Sequence, residues 1–270
     1  MSDLEVGSAL ELLRHGEIVV EGRLVDASNA TLFCEIGHGT MSGRCVYKPV
    51  AGERPLWDFP DGTLAGREVA AFAVSEATGW SVVPPTVLRE GPFGPGMVQL
   101  WIDTVDDDEA TLVDVMAPAA LPDSWLRVLD ALGSDGEPVV LGHADDERLR
   151  RMSVLDVVLN NADRKGGHVL VEPGGAVHGV DHGVSFHAEP KLRTVLWGWL
   201  GERIGEEDCG RLERVDRLLS QPRSLMSLAL AELLTARERT ALRRRVVRLL
   251  AEGRYPRPGG GWPAVPWPPL

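Results

Sequence analysis

Residues 161–171 read Asn-Ala-Asp-Arg-Lys-Gly-Gly-His-Val-Leu-Val, and residues 177–183 read Val-His-Gly-Val-Asp-His-Gly. The first stretch sets Asp163, Arg164 and Lys165 on a loop tightened by Gly166 and Gly167, just ahead of His168 and an apolar run that suits a strand. The second sets Asp181 at the end of another short strand. Between them Pro173-Gly174-Gly175 is a turn signal, so the two strands read as a hairpin that returns the chain to its start. Asp181 is therefore expected close to Asp163 and His168. Two carboxylates gathered in this way suit phosphoryl transfer: one orients or deprotonates the attacking group, and the other holds Mg²⁺ against the phosphates.

Working outward, residues 145–161 form the clearest helix. Leu149, Met152, Leu155, Val158 and Leu159 fall on one stripe, and Asp145 and Asp146 stand at the start, where the helix dipole favours anions. Towards the N-terminus, residues 18–25, 31–36 and 44–50 are short runs rich in Val, Ile, Phe and Tyr, separated by turn-forming stretches, and read as an antiparallel meander. A helix over 8–14 precedes them, with Ser8 as N-cap and Glu11 as its reciprocal partner. Residues 63–78 have helical spacing, and Gly79 stands where a left-handed residue closes a helix. Strands over 82–88 and 97–102 follow. An acidic run over 103–109 then breaks the pattern, and beyond it apolar residues recur mostly at helical intervals, with helices near 207–219 and 224–250. The Pro- and Gly-rich tail over 253–270 is expected to hold little structure of its own. The fold class is α+β: an antiparallel sheet plus helix over residues 1–102, then a mainly helical region over 103–252.

Lys48, on the third strand, is placed to neutralise phosphate charge, with Glu68 on the following helix to pair with it. Backbone amides of the loop between the first two strands, around Ser28 and Asn29, are placed to cover phosphates. Singly these signals are weak, because a strand lysine is ordinarily a solvated edge residue and Asp-His-Gly is ordinarily a turn. Their order along the chain gives them weight.

Taken together, Val-Tyr-Lys-Pro around Lys48, Ala-Gly-Arg-Glu-Val-Ala-Ala-Phe around Glu68, Asn-Ala-Asp-Arg-Lys-Gly-Gly-His around Asp163 and Gly-Val-Asp-His-Gly around Asp181 resemble the phosphatidylinositol 3-/4-kinase-like superfamily. Over residues 8–250 the chain resembles an actinobacterial family within it. The resemblance implies a two-lobed protein-kinase-like fold with ATP between the lobes, and an ATP-dependent phosphotransferase acting on a small metabolite or a protein hydroxyl. It places Lys48 on the α- and β-phosphates with Glu68 as its partner, and Gln99, Leu100 and Trp101 as a hinge against adenine. Asp163 and Arg164 become the catalytic pair, and Asp181 the ligand for Mg²⁺ or Mn²⁺. Kinases of this group usually carry Asn where this chain has His168. An imidazole there either ligates a second cation, with Mn²⁺ accepting nitrogen more readily than Mg²⁺, or contacts a phosphate, or bonds within its own loop. The alternative function is a nucleotide-binding pseudokinase that regulates a partner protein through lobe closure. Nucleotidyl transfer is a third and weaker reading.

Charge narrows the partners. With 28 Lys and Arg against 40 Asp and Glu, the net charge of −12 disfavours nucleic acid and anionic membranes as non-specific partners. No stretch approaches the roughly 20 apolar residues that span a bilayer, and the first residues lack the basic and apolar regions of a secretory signal. Three cysteines without paired motif spacing suit reduced thiols, so a cytoplasmic location is expected. His38, His143 and His178 have no partner pattern and are expected at the surface.

Overall fold

The computed structural model describes residues 5–24, 30–105, 111–260 and 263–270. Helix α1 (Val6–His15) leads into strands β1 (Glu17–Arg23), β2 (Leu32–His38) and β3 (Met41–Pro49). After helix α2 (Leu64–Thr78), strands β4 (Thr86–Gly91) and β5 (Gly94–Leu100) complete a five-stranded antiparallel sheet in the order β1-β2-β3-β5-β4. Alternation along β3 buries Cys45 and Tyr47 on one face and turns Lys48 to the other. Leu12 and Leu13 of α1 cover the buried face, packing with Cys34, Cys45, Tyr47, Val87 and Val98. Helix α1 starts at Val6 with no side-chain cap, so Ser8 lies inside it. Pro84 and Pro85 delay the strand expected over 82–88, because proline cannot donate to a ladder.

The ends of α2 are held by local chemistry. Thr63 Oγ1 accepts from Gly66 N at 2.9 Å, and Gly79 closes the helix at φ 70°. The Glu53 carboxylate adds a second cap, accepting from Leu64 N at 2.9 Å and Ala65 N at 2.8 Å. Helix α2 is buried on nearly every side. Its Ala70, Ala71, Phe72 and Val74 belong to the core formed by the second half of the chain, with Leu155, Leu212, Leu230 and Leu242.

That second half is not purely helical. A three-stranded antiparallel sheet of β6 (Val113–Met116), β7 (Trp125–Leu132) and β8 (Pro138–Ala144), ordered β6-β8-β7, precedes helix α3 (Glu147–Leu159). The Asp146 side chain caps α3 by accepting from Arg148 N, and Asn160 ends it in the left-handed region at φ 56°. The expected hairpin is present as β9 (Val169–Val171) and β10 (Val177–Gly179). Helix α4 (Glu206–Ser220) follows, and the segment expected as one helix over 224–250 is two, α5 (Leu225–Leu233) and α6 (Ala236–Glu252), because Thr235 and Glu238 form a reciprocal capping box. His143, expected at the surface, is fully buried: its Nε2 accepts from Gly198 N at 3.0 Å.

Among its described residues the tail holds no helix or strand, yet it docks. Ala264 O accepts from Thr194 N and from Trp197 Nε1, and Pro269 O accepts from Gly166 N at 2.8 Å. Among the described residues no helix is long and apolar enough to cross a membrane.

Candidate active site

A cavity of about 220 Å³ opens between the first sheet and the loops flanking the β9–β10 hairpin. Lys48, Glu53, Glu68, Asp163, Lys165, His168 and Asp181 line it, with Thr31, Gly183 and Val184. Four segments aim these charged groups. Strand β3 presents Lys48, α2 presents Glu68, and the two loops carry the acids.

Lys48 Nζ donates to Glu68 Oε1 at 2.9 Å and also to Asp181 Oδ1. Desolvation is the largest influence on this ammonium and works against its charge, but Glu68 and Asp181 together outweigh it, so Lys48 stays protonated beyond the ordinary lysine range. Lys48 in turn holds Asp181 well below the usual carboxylate range. Glu68 also accepts from the backbone N of His182 through Oε2 at 2.8 Å, so one carboxylate ties α2 to both the lysine and the Asp181 loop. Asp181 adopts φ 59°, a left-handed conformation that Asp tolerates better than most side chains.

Asp163 lines the same cavity. Its backbone N is fixed by Asn161 Oδ1 at 3.0 Å, and Lys165 Nζ lies 3.7 Å from Oδ2. Burial raises its pKa, tempered by Lys165 and Arg193. His168 Nε2 is 3.5 Å from Asp181 Oδ2. Burial pushes this imidazole down to about 4 despite the nearby carboxylate, and its buried Nδ1 has no hydrogen-bond partner among the described residues. The ring is neutral near pH 7 and keeps a free lone pair for a ligand.

Arg164 stands behind the cavity. It is fully buried, ion-paired with Asp156 at 3.0 Å, and it donates to Val180 O and meets His182 Nε2 at 2.6 Å. It holds the Asp163 and Asp181 loops together without reaching the cavity. Gln99, Leu100 and Trp101 also stand apart from the cavity lining. Gln99 Nε2 donates to Thr86 Oγ1 at 2.8 Å, the amides of Leu100 and Trp101 are taken by Pro85 O and Arg44 O, and the Trp101 ring packs edge-on against Phe33. Ser28 and Asn29 lie outside the described residues; their neighbours Ala30 and Thr31 line the cavity. Glu53 is a cavity residue that sequence reasoning missed.

No family model matches the chain. Protein Rv2133c of Mycobacterium tuberculosis is 51% identical to it over 265 residues, covering 95% of this chain and 94% of that protein. The chain belongs to the family of that protein. Among solved structures, the Golgi casein kinase with Mn/ADP bound matches at a TM-score of 0.54 and 13% identity, over 92% of this chain and 75% of the kinase. A second structure of the Golgi casein kinase matches at 0.51 and 13% identity, over 93% and 75%. The chain therefore has a protein-kinase-like fold, with an antiparallel sheet region followed by a mainly helical one.

Proposed function

We propose that this protein is an ATP-dependent phosphotransferase of the phosphatidylinositol 3-/4-kinase-like group, transferring a phosphoryl group to a hydroxyl of a small metabolite or a protein. The observation that carries the reading is one cavity in which Lys48, braced by Glu68, faces Asp163 and Asp181 on a kinase-like fold. The four motifs around these residues support assignment to that group. We divide the chain after residue 102, with the nucleotide between the two lobes.

In this reading the Lys48 ammonium neutralises the α- and β-phosphates, and Glu68 keeps it extended. Asp163, whose pKa burial raises, accepts the proton of the acceptor hydroxyl as its oxygen attacks the γ-phosphorus and the bond to the β-phosphate oxygen breaks. Lys165 lies beside that reacting centre. Asp181 and His168 would hold a divalent cation. Among the described residues no three His, Cys, Asp or Glu side chains converge as a metal cage, which fits a cation completed by phosphate oxygens and water. Such a cation neutralises charge on the phosphates. The Golgi casein kinase form with Mn/ADP bound supports this pairing of nucleotide and metal. A neutral His168 nitrogen favours Mn²⁺ over Mg²⁺.

Mixing the protein with ATP and Mn²⁺ should raise its melting temperature, because a ligand that binds only the native state stabilises it. Asp163→Asn should keep that rise while lowering transfer of label from [γ-³²P]ATP to acceptors in a cell extract by roughly 10² or more. No thermal shift at millimolar ATP with either Mn²⁺ or Mg²⁺ overturns the nucleotide site. A wild-type shift without label transfer favours the pseudokinase alternative.

A further inference from the structure

Cys34 on β2 and Cys45 on β3 are direct partners in the antiparallel register, which runs unbroken from Leu32 opposite Tyr47 to His38 opposite Met41. Both are fully buried under α1, in the cluster with Leu12 and Leu13. Facing residues in an antiparallel ladder have Cα atoms about 4.5 or 5.5 Å apart, depending on their hydrogen bonding. Either separation lies within the roughly 4.4–6.8 Å that a disulfide spans. The side chains share one face of the sheet, and the Cys34 thiol donates to Leu32 O at 3.7 Å. The third cysteine, Cys209, is remote from them, on α4 against the other core.

We propose that Cys34 and Cys45 form a reversible intrachain disulfide with hydrogen peroxide as oxidant, a modification site that stands independently of the nucleotide reading. The Cys34 sulfur attacks one peroxide oxygen and the O–O bond breaks, leaving Cys34 as a sulfenic acid and releasing water. The Cys45 sulfur then attacks the Cys34 sulfur, the S–O bond breaks, and a second water leaves with the Cys45 proton. Two thiols lose two electrons and two protons, and one peroxide becomes two waters. Cys34 is the first nucleophile because its neighbour Cys45 holds the Cys34 thiol below the usual range, while Cys34 in turn pushes Cys45 up. Burial favours a small neutral oxidant such as peroxide over a bulky disulfide.

The test uses the full chain with Cys209→Ser, treated with peroxide while native, then unfolded in iodoacetamide and weighed. The expected product is about 2 Da lighter than the reduced protein, takes up no alkyl group, yields a digest peptide joining Cys34 to Cys45, and is restored by dithiothreitol. Full alkylation of both cysteines after peroxide overturns the proposal. So does oxidation to sulfinic or sulfonic acid without a bond between them. Should Cys209→Ser fail to fold, wild-type protein with Cys209 blocked by N-ethylmaleimide in the native state gives the same readout.

Discussion

Asp181 does two things at once: its carboxylate neutralises Lys48, and its left-handed backbone turns the chain at the cavity wall. Asp181→Asn separates them, since Asn tolerates the same backbone but carries no charge. The expected result is a fold that melts within a few degrees of wild type and an ATP-induced thermal shift that no longer depends on the metal. Scanning fluorimetry with ATP, with and without Mn²⁺, reads both. His168 gives a pH signature in the protein free of nucleotide and metal. Its folded pKa of about 4 lies below the ordinary value near 6.5, so between those pH values the unfolded chain binds more protons than the folded one. Its contribution is complete above about pH 6.5 and is lost as pH falls toward 4, by up to about 3 kcal/mol. Burial lowers His182 as well, in the same direction. His168→Asn should therefore flatten, in part, the drop in urea-unfolding free energy between about pH 7 and pH 5. An unchanged slope would remove His168 from the buried set.

Helix α2 shows at the level of an element what local sequence carries. Thr63 and Gly79 are legible because a cap and a left-handed stop depend on residues inside or next to the helix. Glu53 is not, because it reaches Leu64 and Ala65 across a connecting segment that no periodicity describes. Thr63→Ala should cost about 1 kcal/mol in chemical denaturation, and a loss near zero would mean that Glu53 alone satisfies the helix start. The Asp163 and Asp181 cluster was legible for the same reason as the cap: a short hairpin joins its two halves. Strand β7 was hidden by its own spacing. Leu126, Leu129 and Leu132 recur every third residue and imitate a helix, whereas a register shift between Arg127 and Leu129 accommodates them in a half-exposed bulged strand. The break before α6 did carry a local signal, the Thr235 and Glu238 capping box, which a continuous apolar pattern masked. The adenine hinge at Gln99, Leu100 and Trp101 rests on resemblance alone, whereas the bond from Gln99 Nε2 to Thr86 Oγ1 joins two strands and is written in no local pattern.

Across the whole molecule, α2 is a wedge shared by both halves. Arg67 pairs with Glu238 of α6 at 2.5 Å, both nearly sealed from solvent, and donates to Ser185 O at 2.8 Å. Arg211 of α4 donates to Thr78 O and Gly79 O, and Trp80 Nε1 donates to Asp208. With the cover of α2 supplied by the second half of the chain, the two halves are expected to unfold together. Calorimetry should give one cooperative transition, and Arg67→Ala should move it down by about 3–5 kcal/mol, the cost of leaving a buried partner charge uncompensated. Two resolved transitions would mean that the halves unfold separately.

The same wedge sets an order of events at the ribosome. Helix α2 emerges well before α4 and α5, which supply much of its cover, and at about 5–20 residues per second its apolar side waits roughly 6 to 30 seconds for them. During that interval Ala70, Phe72 and Val74 lack the cover that the later helices supply, so an apolar surface is open on the nascent chain until they arrive.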